Sequence, residues 1–188
     1  MIRMSHRLEF VYGYHGCCKS VADSILSGSD VLLSSENDYD WLGTGIYFWE
    51  EAPVSAYEWA KMLHPNAPAV IGAKIRLGRC LNLLDMTAYK SLRDTYNILK
   101  ENVPSQLPRN GKHYHRLDCL VINTATNFAE KELGRPYDTV RCPFPEGEPV
   151  FPGSTILDRS HIQIAVRNQT ALAELFAVDI AGLDRRRD

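Results

Sequence analysis

Apolar residues change their spacing several times along the chain, and each change predicts an element. The stretch "LEFVYGYHG" (8–16) is β-branched and aromatic up to a glycine, which predicts a strand. In "KSVADSILSG" (19–28), Val21, Ile25 and Leu26 share one helical face and Gly28 supplies a stop. "DVLLSS" (30–35) predicts a short strand or extended piece, and "GIYFWE" (45–50) a second strong strand. "PVSAYEWAKMLH" (53–64) opens on proline, a favoured first-turn residue, and continues with helical spacing. Residues 69–85 predict a strand broken at Gly78, while 87–103 and 116–134 predict helices separated by a basic loop, 104–115. "CPFPEGEPVFPGS" (142–154) holds four prolines and two glycines and reads as loop. "SHIQIAVRN" (160–168) predicts a last strand, and "ALAELFAV" (171–178) is either strand or helix.

The sum is an α+β chain with strands towards both ends and helices between them. At 188 residues it is expected to be one domain, 1–188, able to close a core without metals or disulfides. With 45% hydrophobic and 23% charged residues and a net charge of −2, electrostatic binding to bulk nucleic acid is disfavoured. A nucleic acid held in a local pocket is still compatible. The basic run Arg185-Arg186-Arg187 reads as a solvated tail. Five cysteines, Cys17, Cys18, Cys80, Cys119 and Cys142, show no zinc spacing, and an adjacent pair bridges poorly, so reduced thiols in a cytoplasmic protein are expected. "MIRMSHRLEF" lacks the apolar stretch of a signal peptide, and no run approaches a membrane span.

Two segments carry candidate chemistry. His15 ends the first strand and is followed by Gly16, where the missing Cβ lets a ligand approach bare backbone groups. In "GTGIYFWE", alternation puts Tyr47 on the face opposite Ile46 and Phe48. Its ring is then available to a flat ligand while its hydroxyl stays hydrogen-bonded. Tyr57, ten residues on, falls in the following helix, so two tyrosines are placed either to sandwich one ring or to pack the core. Gln163 is a polar residue inside an apolar strand, either functional or structural.

Together, "YHG", "GTGIYF" and a late strand with one polar residue resemble the ADP-ribosyltransferase superfamily, in its diphtheria toxin and poly(ADP-ribose) polymerase branch. The resemblance spans roughly residues 8 to 170. It implies split antiparallel β-sheets flanked by helices, with NAD as co-substrate in a central cleft. His15 would hydrogen-bond the adenine-side ribose, Gly16 would hold the nicotinamide carboxamide, and Tyr47 and Tyr57 would stack on the two ring faces. Gly45 belongs to the same strand motif, and Cys17 stands where the family usually has Thr or Ser. Where the family has Glu in a strand like "EYIV", this chain has "HIQIAV", which puts Gln163 at the Glu position and His161 two residues before it on the same face. Gln accepts a hydrogen bond but brings no negative charge. The catalytic set implied is therefore His15, Tyr47 and Gln163, with single ADP-ribose transfer retained and polymer elongation lost.

Around this set, Arg76, Arg141 and Arg167 are either diphosphate contacts or surface ion pairs. Glu146 and Glu148 are loop carboxylates able to serve as the missing base. "KHYH" (112–115) is either an acceptor contact or an exposed loop. The acceptor is a protein or nucleic acid of unstated identity, and a toxin, a defence factor and a housekeeping modifier, with a target or neutralising protein as partner, are all compatible. A related RNA 2′-phosphotransferase and a non-catalytic NAD- or ADP-ribose-binding module are the alternatives.

Overall fold

The β-branched and aromatic density at the start of the chain produces strand β1 (Phe10–Cys18), which runs directly into helix α1 (Lys19–Leu26). These elements belong to a computed structural model that describes residues 10–184. The first two residues of the expected strand, the N-terminal segment and the Arg185–Arg187 run lie outside the described residues. In α1 the buried residues are Ala22 and Ile25, whereas Val21 and Leu26 are exposed. The apolar face is turned from the expected one because a small residue, Ala22, lets the helix sit close to the sheet.

Residues 30–35 form no strand. The Ser35 N–H, donating to the Gly45 carbonyl at 2.8 Å, and Leu32, buried in the core with Phe48 and Ile71, tie them to the sheet. Strand β2 (Ile46–Glu50) is followed by helix α2 (Pro53–Leu63), which starts on its proline as expected. The predicted break at Gly78 is real. Strand β3 (Pro68–Arg76) ends before it, Gly78 takes a φ of +56° where a side chain is strained, and strand β4 (Cys80–Asn82) begins after it. Helices α3 (Ala88–Asn102) and α4 (Arg116–Leu133) follow, the latter closed by Gly134 in the left-handed conformation.

Strand β5 (Thr139–Phe144) occupies a stretch read in part as loop. Its Pro143 is tolerated because β4 pairs only with Thr139 to Arg141, so one side of β5 is an open edge beyond that point. Strands β6 (His161–Val166) and β7 (Leu172–Ala177) and a short helix α5 (Ile180–Asp184) complete the described chain. "ALAELFAV" is therefore strand.

The strands form one mixed seven-stranded sheet in the order β4-β5-β6-β2-β1-β3-β7. The α+β class holds, but in place of two separate antiparallel sheets there is one sheet with a parallel β4–β5 pair. The parallel pair arises because α3 and α4 form the crossover that parallel neighbours require. Phe48, Ile71, Ile75 and Ile164 are fully buried on the α1 face, each contributing about 1.5–3 kcal/mol. Val140 and Ala165 pack against Ile122 of α4 on the other face, and Ala56 and Tyr57 of α2 pack on Val70 of β3.

Candidate active site

The joint between the sheet's halves is its shortest ladder. β1 and β2 pair at Gly13↔Glu50 and Tyr14↔Trp49 and then part. The Tyr12 carbonyl accepts from the Glu51 N–H at 2.9 Å, so Tyr12 and Tyr14 turn their backbone groups towards β2. By the same alternation Gly16 turns its N–H and C=O that way, and Tyr47 would be its ladder partner. Instead, His15 Nδ1 donates to the Tyr47 carbonyl at 2.9 Å. An imidazole thus takes the acceptor that the Gly16 N–H would have had, and the Gly16 edge faces the opening.

A cavity of about 760 Å³ lies at this opening. His15, Gly16, Cys17, Tyr47 and Gln163 all line it, so five of the residues singled out from the sequence converge on one space. Because a carbonyl only accepts, Nδ1 carries the His15 proton, and the neutral ring keeps Nε2 as an acceptor. Burial holds His15 below the ordinary imidazole range, against the opposing effect of its bond to Tyr47. The Tyr47 hydroxyl donates to the Gly43 carbonyl at 2.7 Å and accepts from the Leu42 N–H at 2.9 Å. Burial raises its pKa, so Tyr47 stays neutral and serves as a ring wall. The Cys17 thiol is pushed up to about 11, chiefly by burial, which keeps it a thiol.

The turn before β2 is clamped from behind. Gly43 has a φ of +77°, and the Thr44 N–H donates to Asn123 Oδ1 of α4 at 2.9 Å. Arg167 Nη1 donates to the Thr44 carbonyl at 2.8 Å and to the same Asn123 oxygen. Arg167 is therefore a strut outside the cavity lining. Arg141 is likewise elsewhere, in a buried ion pair with Glu50 on the opposite face of the sheet. Arg76 is exposed beside the Phe10 ring.

Two other expected contacts lie off the cavity. Gly45 bridges to Ser35, and an added Cβ would approach the Val166 carbonyl to 3.0 Å, so its role is close packing against β6. Tyr57 is 6% exposed and packs with Ala56 and Val70. At about 100° per residue it is turned some 200° from Trp59, and it is Trp59, Met62 and Leu63 that reach the cavity. Glu148 is absent from the lining, whereas Glu146 belongs to it. From the loop 112–115, Lys112, His113 and His115 line the cavity. That loop is held to the opposite wall by the His115 N–H, which donates to the Asp38 carbonyl at 2.9 Å.

The sequence reading missed two of the other aromatic walls, Trp41 and Trp59, and one carboxylate. Trp41, Trp49 and Trp59, all three tryptophans of the chain, line the cavity. The signal for Trp49 was present, since it shares a strand face with Tyr47. Asp40 is 3% exposed and also lines the cavity, accepting from the Ser35 hydroxyl and the Asn37 N–H, each at 2.6 Å. Burial raises its pKa against those two donors.

Gln163 pairs with Trp49 across β2 and β6. Its Oε1 accepts from Trp41 Nε1 at 3.0 Å, and its Nε2 lies 3.1 Å from His161 Nε2. Glu146 Oε2 is 3.7 Å from the other nitrogen of His161. Among the described residues, no group of three or more His, Cys, Asp or Glu is arranged to hold a metal ion, and no helix is long and apolar enough to cross a membrane. All five cysteines are free.

No family model matches the chain. It is 30% identical over 144 residues to an uncharacterized protein of Methanocaldococcus jannaschii, an alignment covering 70% of this chain and 64% of that protein. The matched part of the chain thus spans under two thirds of that relative, whose description assigns no activity.

Proposed function

We propose that this chain is an NAD-dependent mono-ADP-ribosyltransferase acting on a macromolecular acceptor, a protein or a nucleic acid. The observation that carries the reading is the opening between β1 and β2. There the His15 imidazole takes the Tyr47 carbonyl and turns the Gly16 edge towards an aromatic-walled cavity. A primary carboxamide such as that of nicotinamide needs one donor and one acceptor side by side, which a free strand edge supplies. The cavity volume falls within the usual range for small-molecule sites, about 300–1,000 Å³. His15 Nε2 is an acceptor suited to a ribose hydroxyl, and the Tyr47 ring gives the nicotinamide a flat wall. Trp49 or Trp59, in place of Tyr57, is the candidate for the second wall.

In the reaction the bond between ribose C1′ and the nicotinamide nitrogen breaks, and its electron pair leaves with nicotinamide. An acceptor atom then bonds C1′ and releases its proton. Gln163 contributes a carbonyl dipole towards the developing positive charge, a weaker stabilisation than a carboxylate gives. Asp40 and Glu146 are the carboxylates in the lining, and Glu146 is the more exposed of the two.

A non-catalytic NAD- or ADP-ribose-binding module is the second reading. It is favoured by the lack of a carboxylate on β6 within the cavity. Among the described residues Lys112 is the one lysine or arginine in the lining, which weakens the phosphotransferase alternative, since that reaction needs several cations around a phosphate.

Calorimetry with NAD and chromatographic detection of nicotinamide separate these readings. Binding with release supports the transferase, and binding without release supports the module. Absence of binding would remove the nicotinamide slot altogether. Labelled NAD added to a lysate, followed by nuclease or protease digestion, identifies the acceptor class.

A further inference from the structure

The Gln163 amide is held at both of its ends, and the two ends assign its orientation independently. At one end stands Trp41 Nε1, an indole nitrogen that only donates, 3.0 Å away. The atom facing it is therefore Oε1. At the other end stands His161, whose Nδ1 lies 2.7 Å from the Arg159 carbonyl. That carbonyl only accepts, so Nδ1 carries the proton and neutral His161 offers Nε2 as an acceptor to the Gln163 NH₂ at 3.1 Å. The donor sequence thus runs one way, from the Trp41 indole through the amide and the imidazole to the Arg159 carbonyl. The His161 side chain is only 4% exposed and stacks on Phe144 at 5.8 Å with an interplanar angle of 21°, so the ring is not free to turn.

We infer that Trp41 and His161 are positioning residues that hold the residue at 163 in one orientation, and that the frame they make fits an amide and rejects a carboxylate unless His161 takes up a proton. With the amide in place, one Oε1 lone pair and one N–H are committed to the frame, which leaves one of each for a ligand. A carboxylate at the same place still accepts from Trp41, but its second oxygen meets the Nε2 lone pair, and only an added proton on His161 restores a hydrogen bond there. The charged groups facing that ring are Glu146, with Oε2 at 3.7 Å from Nδ1, and behind it Arg159, with Nη2 at 3.6 Å from Glu146 Oε1. The added proton makes a neutral pair at 161 and 163, so Gln163→Glu does not add a net charge to the cavity. The inference rests on the proposed function only for which ligand atom the free lone pair meets; the frame itself needs no NAD.

The test is a histidine titration followed by NMR of the imidazole signals, in the full chain without NAD. In Gln163→Glu the midpoint of His161 is expected to rise by about 1–3 pH units relative to the native chain, the usual effect of an opposite charge at hydrogen-bond distance. A folded variant with an unmoved midpoint overturns the inference. Should that variant fail to fold, His161→Phe keeps the ring stack and removes the acceptor. The Gln163 side-chain NH₂ signals, expected to be distinct and slowly exchanging in the native chain, should then lose that protection, and retention of the protection counts against the frame. Neither readout uses NAD, so a chain that binds no NAD would remove the proposed function and leave this assignment standing.

Discussion

Tyr47 shows how one side chain serves fold and site together. Its hydroxyl bonds both ways to the Leu42–Gly43 backbone, while its ring lines the cavity and its own carbonyl receives His15. Tyr47→Phe leaves the Leu42 N–H and the Gly43 carbonyl without that partner and is expected to lower stability by about 1–3 kcal/mol, read by urea unfolding. Because the ring stays, NAD affinity should be little changed. Tyr47→Ala removes the wall itself, and calorimetry should show NAD affinity weakened by about 1–3 kcal/mol.

Among the elements, the approach of α2 to β1 depends on Gly16. A Cβ there would stand 2.1 Å from the Ala56 carbonyl, a backbone atom that yields only if the helix moves. Gly16→Ala should therefore cost about 1–3 kcal/mol through overpacking, and spectra of Trp59 on the same helix should change with it. The motif glycine thus has a packing reason beside any ligand reason. The second element-scale device is the Arg141–Glu50 pair, whose side chains are 10% and 7% exposed. It joins β5 to β2 across β6. Arg141→Met is expected to cost about 3–5 kcal/mol by leaving the Glu50 charge buried alone. Replacing both partners by apolar residues should recover most of that, as measured by denaturant unfolding of the single and double variants.

For the whole molecule, the buried His15 links stability to pH. Its folded pKa is lowered, chiefly by burial, so below the ordinary value of 6.5 the unfolded chain binds a proton that the folded chain resists. Its contribution is complete above about pH 6.5 and is lost as pH falls from there towards the folded pKa. The urea midpoint should thus decline over that window. His15→Asn, which keeps a donor for the Tyr47 carbonyl without titrating, should flatten the decline, and an unchanged slope would assign the effect to another group.

The sequence by itself determined the elements that short-range physics governs. The apolar strand at 46–50, the proline-led helix at 53–63 and the stops at Gly28 and Gly78 follow from local sterics and periodicity. It also singled out His15, Gly16 and Gln163 as polar or small residues at the end or inside of apolar strands and Tyr47 by strand alternation, while Cys17 came from the resemblance alone. Only the tertiary structure decided which of the other candidates reach the cavity. Tyr57 and Trp59 share a helix two residues apart, and the docking angle of α2 on β3 turned the tryptophan in and the tyrosine down. Arg141, read as either a diphosphate contact or a surface ion pair, lies instead on the far face beside Glu50, where β5, masked by its proline, puts it. The cavity itself depends on a ladder that stops after two pairs, and where a strand leaves its neighbour is set by long-range packing that no local pattern encodes.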